Sequence, residues 1–336
     1  MNAHDTAPAN PVLVEVMRGD TIESFHRGAI AVVDASGTAI LARGEVERPI
    51  FPRSAVKMIQ ALPLLETGAA DHFHLSEREI ALACASHSGE PGHVEAVGHW
   101  MERLNIPLQA LACGSAYPLD DKSARERASP ALPSALHNNC SGKHAGFLTT
   151  ARYLGIDPHD YVHRDHPVQQ GVTAALSEIT SCDLDAAPCG IDGCGIPAYA
   201  IPLRRLAQGM ARLASPHLHG PERAAAAQRV IKAVEHQPWF IGGTGRLDTL
   251  AIEAGGGRFV VKMGAEGVHV ALAPDAGVGV ALKIDDGSRR AADLVMAGIL
   301  RLLGWIDTAQ FDLLARGSLV NARGETVGRL CLASLA

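Results

Sequence analysis

Residues 28–43 read GAIAVVDASGTAILAR. Two runs rich in Ala, Val and Ile flank Asp-Ala-Ser-Gly-Thr-Ala, and β-branched runs around such a polar, glycine-containing turn predict a hairpin of strands 28–34 and 38–43. A lone hairpin is barely stable in water, so it needs further strands. One precedes it, VLVEVM at 12–17. The others lie near the far end: RFVVKMG at 258–264, GVHVALAP at 267–274 and GVGVALKIDDG at 277–287, with LVNARGETVGRL at 319–330 as a last hairpin.

The middle has a different period. Residues 54–67, 76–85, 92–104, 143–154, 168–180, 201–214 and 221–235 carry helical spacing or composition, and another helix is expected at 288–303. In the first, Ala55, Met58, Ile59, Leu62 and Leu65 recur on one face, and Pro63 predicts a kink or an end. The order strands, helices, strands, helix, strands predicts an α/β (α+β) fold. Its mainly antiparallel sheet is built from N- and C-terminal strands and flanked by helices. The expected division is a sheet-containing lobe, 1–53 and 245–336, and a helix-rich lobe, 54–244, with a catalytic cleft between them.

The chain has 336 residues, 4% of them aromatic, so Ala, Val, Leu and Ile must build most of the core. A net charge of −6 without a basic tract argues against nucleic acid or an anionic membrane as the main partner. No apolar run reaches about 18 residues, so no membrane span is expected. The opening MNAHDTAPANP lacks a charged-then-apolar export pattern. With seven cysteines, an odd count, this predicts reduced thiols and a cytoplasmic setting.

Several short stretches carry chemistry. FPRSAVKMIQ, 51–60, puts Ser54 three residues before Lys57. On a helix the two share a face, and a neutral lysine there accepts the serine proton. The plainer alternative is an N-cap serine and a solvated lysine. CASHSGE offers Ser86, and VVKMGAEG puts Lys262 on a strand before Gly264. S-x-x-K, a second serine and a strand lysine followed by a small-residue turn is the order used by penicillin-binding proteins and class A β-lactamases. An exposed strand lysine is the simpler account of Lys262. HNNCSGKHAG supplies Cys140, Lys143 and His144, and PCGIDGCGIP supplies Cys189, Asp192 and Cys194. Two thiolates with a third donor hold zinc and leave one position open; buried inert cysteines are the alternative. Cys84, Cys113, Cys182 and Cys331 read as core. His87 and His93 read as a ligand, a general base or part of a polar turn. GGTGRLDT and EAGGGRF lack a lysine where a phosphate loop needs one.

Together, PRSAVKMIQALPLLETGAAD, CASHSGEPGHVEAV, HNNCSGKHAGFL, DHPVQQ, GIDGCGIPAYAIPL, VVKMGAEGVHVAL and ALKIDDGSRRAA make the chain resemble the asparaginase II family, the rhizobial-type L-asparaginases. The resemblance runs from about residue 11 to about 330. It implies a serine β-lactamase or penicillin-binding-protein-like fold, and hydrolysis of L-asparagine to L-aspartate and ammonia. It implies catalytic roles for Ser54, Lys57, Ser86 and Lys262 as two Ser–Lys pairs, and a zinc site of Cys140, Lys143 and Cys194. Arg53, His87, Asn139, Asp192 and Asp248 are the candidates for substrate binding, and a homodimer is expected. One position departs from the pattern: some relatives carry a cysteine in the arginine-containing turn where this chain has Asp248. A carboxylate there is able to bond the substrate's amino group, bond a neighbouring lysine or approach the metal. Two other functions fit the motifs, a different serine acyl-enzyme and a noncatalytic zinc protein that binds an amino acid.

Overall fold

The computed structural model describes residues 10–119, 121–127 and 132–335. The leading stretch 1–9, which carries most of the export reading, lies outside the described residues.

Twelve strands are present among them. They are β1 (Val12–Arg18), β2 (Thr21–Asp34), β3 (Ala39–Arg43), β4 (Pro49–Ile50), β5 (Cys189–Ile191), β6 (Pro197–Tyr199), β7 (Ile201–Pro202), β8 (Val260–Gly264), β9 (Val268–Ala273), β10 (Val278–Ile284), β11 (Ser318–Val320) and β12 (Thr326–Leu332). Eight form one sheet in the order β11-β12-β1-β2-β10-β9-β8, with β3 also on β2. Every pairing is antiparallel. The two ends of the fold meet in it, with Val14 opposite Leu332 and Val16 opposite Leu330. The remaining strands form two small ribbons, β4 with β7 and β5 with β6.

Strand β2 begins seven residues before the expected 28–34. Its first half, TIESFHR, is exposed from Thr21 to Phe25 and shows no apolar alternation. It is a strand because β1 pairs with it from Arg27 back to Thr21, while β10 takes the second half from Gly28 to Asp34. In that second half both faces are buried. Ala29, Ala31 and Val33 join the core shared with the helical middle, and Ile30 and Val32 join a second core under the helix Arg289–Leu302. Alternate residues on a strand point to opposite faces, so a sheet covered on both sides reads as a continuous apolar run.

The expected helix 54–67 is three pieces: a 3₁₀ turn Arg53–Val56, then Lys57–Gln60 and Leu62–Glu66. Pro63 stands in the first turn of the last piece, where its missing N–H costs nothing. The other expected helices appear within two residues of their ends, as Glu77–Cys84, Pro91–Arg103, Ser141–Leu154, Pro167–Thr180, Leu203–Leu213, Pro221–His236 and Arg289–Leu302. Leu203–Leu213 falls inside 54–244 but packs on β2, β9 and β10. The helix Leu247–Gly255 was not expected; it packs against β8, at the end of the sheet. Among the described residues no helix is long and apolar enough to cross a membrane.

Candidate active site

Three segments from different parts of the chain converge between the sheet and the helices. The first is the 3₁₀ turn Arg53–Val56, after which Lys57 opens a buried helix. The second is the exit of helix Glu77–Cys84. A Ser76–Glu79 capping box starts this helix, and it leaves into extended backbone at Ala85, which presents Ser86. The Ser86 N–H bonds Ile241 O at 3.0 Å and fixes that exit. The third is edge strand β8 with Lys262. Gly264, two residues on, lies against Pro52, and a Cβ there would collide with Pro52 O. Only glycine lets the lysine strand come so close to the turn that carries Ser54.

Ser86 sits between two buried lysines. Lys57 Nζ is 3.1 Å from Ser86 Oγ and also reaches Ala85 O at 2.5 Å and Asn139 O at 3.5 Å. Lys262 Nζ is 2.9 Å from Ser86 Oγ and 2.9 Å from Met263 O. Burial pushes the Lys262 amine down to about 7, with Lys57 and Arg246 adding to the effect and Asp248 opposing it. A lysine with that value is largely neutral just above pH 7 and can accept a proton. Lys57 and Lys262 are therefore not solvated surface lysines: they are 1% and 0% exposed.

Ser54 is half-buried and its hydroxyl makes no hydrogen bond among the described residues. Arg53, just before it, has φ +52°, a left-handed conformation uncommon for a residue with a side chain. Its guanidinium grips Asp192 Oδ1 from Nε at 3.1 Å and from Nη2 at 2.9 Å. Burial pulls the Asp192 carboxyl upward, but Arg53 and the charges of Lys143 and Lys57 outweigh it and hold the group below its usual range. Arg53 and Asp192 thus form one partly buried pair beside Ser54.

The cysteine turns meet. Lys143 Nζ is 3.0 Å from Cys194 Sγ, and Cys140 Sγ is 3.0 Å from Asn139 Oδ1. Cys140, Lys143 and Cys194 are 5%, 2% and 4% exposed. A hydrogen bond with Cys194 and the charges of Lys57 and Lys143 hold the Cys140 thiol well below its usual value despite burial. Burial lowers Lys143, but Cys140 and Cys194 more than reverse it. Helix Ser141–Leu154 delivers this lysine from deep packing; at Gly142 a Cβ would strike Leu82 O. The donor chemistry suits zinc, two thiols and an amine in one dry place. Among the described residues no three or more His, Cys, Asp and Glu side chains gather as a metal site, so the lysine is essential to any such set. All seven cysteines are free; Cys84 and Cys113 are buried as expected, whereas Cys182 and Cys331 are only half-buried and Cys189 is exposed.

His87 is fully buried. Its Nδ1 accepts from Gly89 N at 3.2 Å, so Nε2 carries the proton toward Ser141 Oγ at 2.9 Å. Its ring stacks on His93, which stacks on Trp239. Burial, His93 and Lys57 keep it uncharged by driving its value far down. Asp248 is buried at the edge of β8, where Oδ1 accepts from Met263 N at 3.1 Å and Oδ2 lies 3.8 Å from Lys262 Nζ. Of the three contacts open to it, the carboxylate lies near a neighbouring lysine without hydrogen-bonding it. Arg246 went unremarked in the sequence except as part of a turn. It is 6% exposed, donates to Ser88 Oγ at 3.3 Å and contacts Met263 Sδ.

A family model described as L-asparaginase II matches residues 14–332. No curated protein matches the chain. Among solved structures, it is similar to a β-lactamase from Mycobacterium bovis at 13% identity, TM-score 0.43, covering 82% of this chain and 94% of that one. It is similar to the D-alanine carboxypeptidase AmpC from Burkholderia cenocepacia at 13% identity, TM-score 0.40, covering 82% and 93%. It is also similar to simvastatin synthase from Aspergillus terreus at 12% identity, TM-score 0.36, covering 86% and 91%.

Proposed function

The chain belongs to the L-asparaginase II family, and from that premise we propose that it hydrolyses L-asparagine to L-aspartate and ammonia by serine–lysine catalysis. The observation that carries this reading is the Ser86 hydroxyl held at 3.1 and 2.9 Å by two buried lysines, one of them with its amine near 7. Such an amine takes a proton at neutral pH without a metal-bound hydroxide.

Ser54 attacks the side-chain amide carbon. It is the hydroxyl that is both half-open and uncommitted, whereas Ser86 is 3% exposed. The proton it loses enters the chain Lys57–Ser86–Lys262, and the same chain returns it to the departing ammonia and then activates water against the acyl-enzyme. The Arg53–Asp192 pair beside Ser54 suits the charged amino-acid end of the substrate. The 2.9 Å contact of Ser86 with Lys262 also favours the exchanged assignment, with Ser86 attacking.

Cys140, Lys143 and Cys194 would hold zinc, with Lys143 giving up its proton to do so. Bound there, the metal would shape and orient the substrate pocket rather than supply the nucleophile.

Ammonia release measured with asparagine, glutamine and a chromogenic β-lactam tests the reaction. Turnover of asparagine is expected. Turnover of the β-lactam alone would make the protein another serine acyl-enzyme, and turnover of none, with asparagine still bound, would leave an amino-acid-binding protein. Mapping the adduct of a fluorophosphonate by peptide mass spectrometry separates Ser54 from Ser86.

A further inference from the structure

Strand β8 ends the sheet, and one side of it has no strand to pair with. Unpaired edge groups need other partners. Asp248, the second residue of helix Leu247–Gly255, satisfies one of them through Met263 N. Its other oxygen, Oδ2, is buried without a hydrogen-bond partner and faces Lys262 Nζ at 3.8 Å. His269 stands on β9 directly across from Met263. Its Nε2 is 2.8 Å from Asp293 Oδ1, and its Nδ1, also buried and unpartnered, is 3.9 Å from Asp248 Oδ1. Asp293, on helix Arg289–Leu302, has 27% of its side chain exposed and lies 3.5 Å from Arg289 Nε. The four groups make a line from solvent to the lysine: Asp293, His269, Asp248, Lys262.

We propose that Asp293, His269 and Asp248 are a positioning relay that controls when Lys262 holds its proton and keeps the resulting ammonium over Ser86. This rests on reading Lys262 as the terminal base of the asparagine hydrolase. The chemistry follows from the nitrogens. His269 Nε2 donates to the Asp293 carboxylate, so a proton on Nδ1 makes the ring an imidazolium between two carboxylates. In that state Asp248 divides its charge between His269 and Lys262, and the lysine releases its proton more readily. When the ring is neutral, Asp248 is no longer shared with it and the ammonium is favoured. Asp248 is held by Met263 N in both states.

Other groups set the background. Lys57, Arg246 and Cys140 face Lys262 electrostatically, as does the Cys84 thiol, which burial keeps neutral. Arg246 bears on Asp248 and, with Arg289, on Asp293. None of these bridges His269 to Asp248.

The chain has six lysines, so labelling lysine Nζ with ¹⁵N gives a spectrum in which loss of one signal in Lys262→Met assigns it. Titrating that signal reads the relay directly. In Asp248→Asn the midpoint should fall by about 1–3 pH units, the usual effect of removing an opposite charge at this range. The acid limb of kcat should move the same way, with KM little changed. In His269→Gln and Asp293→Asn the midpoint should move up instead, because Asp248 then no longer shares its charge with an imidazolium. Opposite signs are not produced by general loosening of the fold. An unmoved midpoint in Asp248→Asn, or a downward shift in Asp293→Asn, overturns the proposal. Should Asp248→Asn fail to fold, Asp248→Ser removes the same charge with less bulk and should lower the midpoint alike; the downward arm is needed because water reaching the buried Lys262 would by itself move the midpoint up. If the wild type releases no ammonia from asparagine, the function is wrong, while the titration still decides the relay.

Discussion

Arg53 holds a backbone angle that side chains disfavour, at a cost of about 1–3 kcal/mol for such strained residues. Asp192 over-determines it, and the next residue is Ser54. Ser54→Ala should leave the fold intact and cut turnover by about a thousandfold or more, as deletion of a nucleophile does in other enzymes. Near-wild-type kcat in purified Ser54→Ala would transfer the attack to Ser86. Lys262 makes a pH prediction with a definite sign. Its amine titrates near 7 in the fold and near its ordinary value of about 10.4 unfolded. The rate should therefore rise as pH passes 7; a profile flat from pH 5 to 9 removes the lysine base. Stability runs on the same linkage. Between about 7 and 10.4 the unfolded chain binds more protons, so this group penalises the fold fully below 7 and progressively less above it. Lys262→Met should abolish activity yet raise Tm at pH 6, with the gain shrinking toward pH 10. A Tm unchanged at both pH values would mean the amine is not destabilising when charged. Motif spacing singled out Ser54, Lys57, Ser86 and Lys262, and the fold brings Lys57 and Lys262 together on Ser86. Asp293 and the role of His269 were not, because GVHVALAP reads as an apolar strand and its partner lies on another helix. The burial of His87 and its stack on His93, which stacks on Trp239, were equally hidden, because ring contacts between distant segments leave no trace in local spacing.

At the scale of elements, two close approaches place the chemistry. One is β8 against Pro52. Gly264→Val should push the lysine strand from the serine turn, and kcat should fall by a larger factor than stability changes would explain. Unchanged kcat in a folded Gly264→Val protein would mean the approach is not needed. The other is the meeting of the turns that bear Cys140 and Cys194. Protein purified without added metal should contain zinc, and Cys140→Ala and Cys194→Ala should lose it. Chelation should raise KM for asparagine more than it lowers kcat. Zinc retained equally by both variants would put the metal elsewhere. Most helix limits were readable because the apolar period and the prolines agree, as at Pro91, Pro167 and Pro221, each in a first turn. The broken start of the helix at 54–67 was signalled by Pro63 alone. The first half of β2 gave no signal, since only pairing with β1 makes that polar segment a strand.

For the molecule as a whole, the sheet is the frame and the helical middle is inserted between its halves. That arrangement was readable because strand-like runs cluster at both ends while helical runs fill the centre. The packing of Leu203–Leu213 on the sheet was not, since its strongly amphipathic face could have met helices as well as strands. Removing β11 and β12 should unfold the protein cooperatively rather than shorten it harmlessly, because β1 would become an edge and the core under helix Arg289–Leu302 would open. A soluble truncation with native circular dichroism would contradict this. The pairing of Val14 with Leu332 also has a kinetic side. During synthesis β1 leaves the ribosome early and finds its second neighbour only when the last strand emerges, nearly a whole chain later. Such long-range pairing is slow to form. Until β12 is made, β1 keeps one edge unpaired, and an open strand edge of that kind is prone to aggregate while the chain is incomplete.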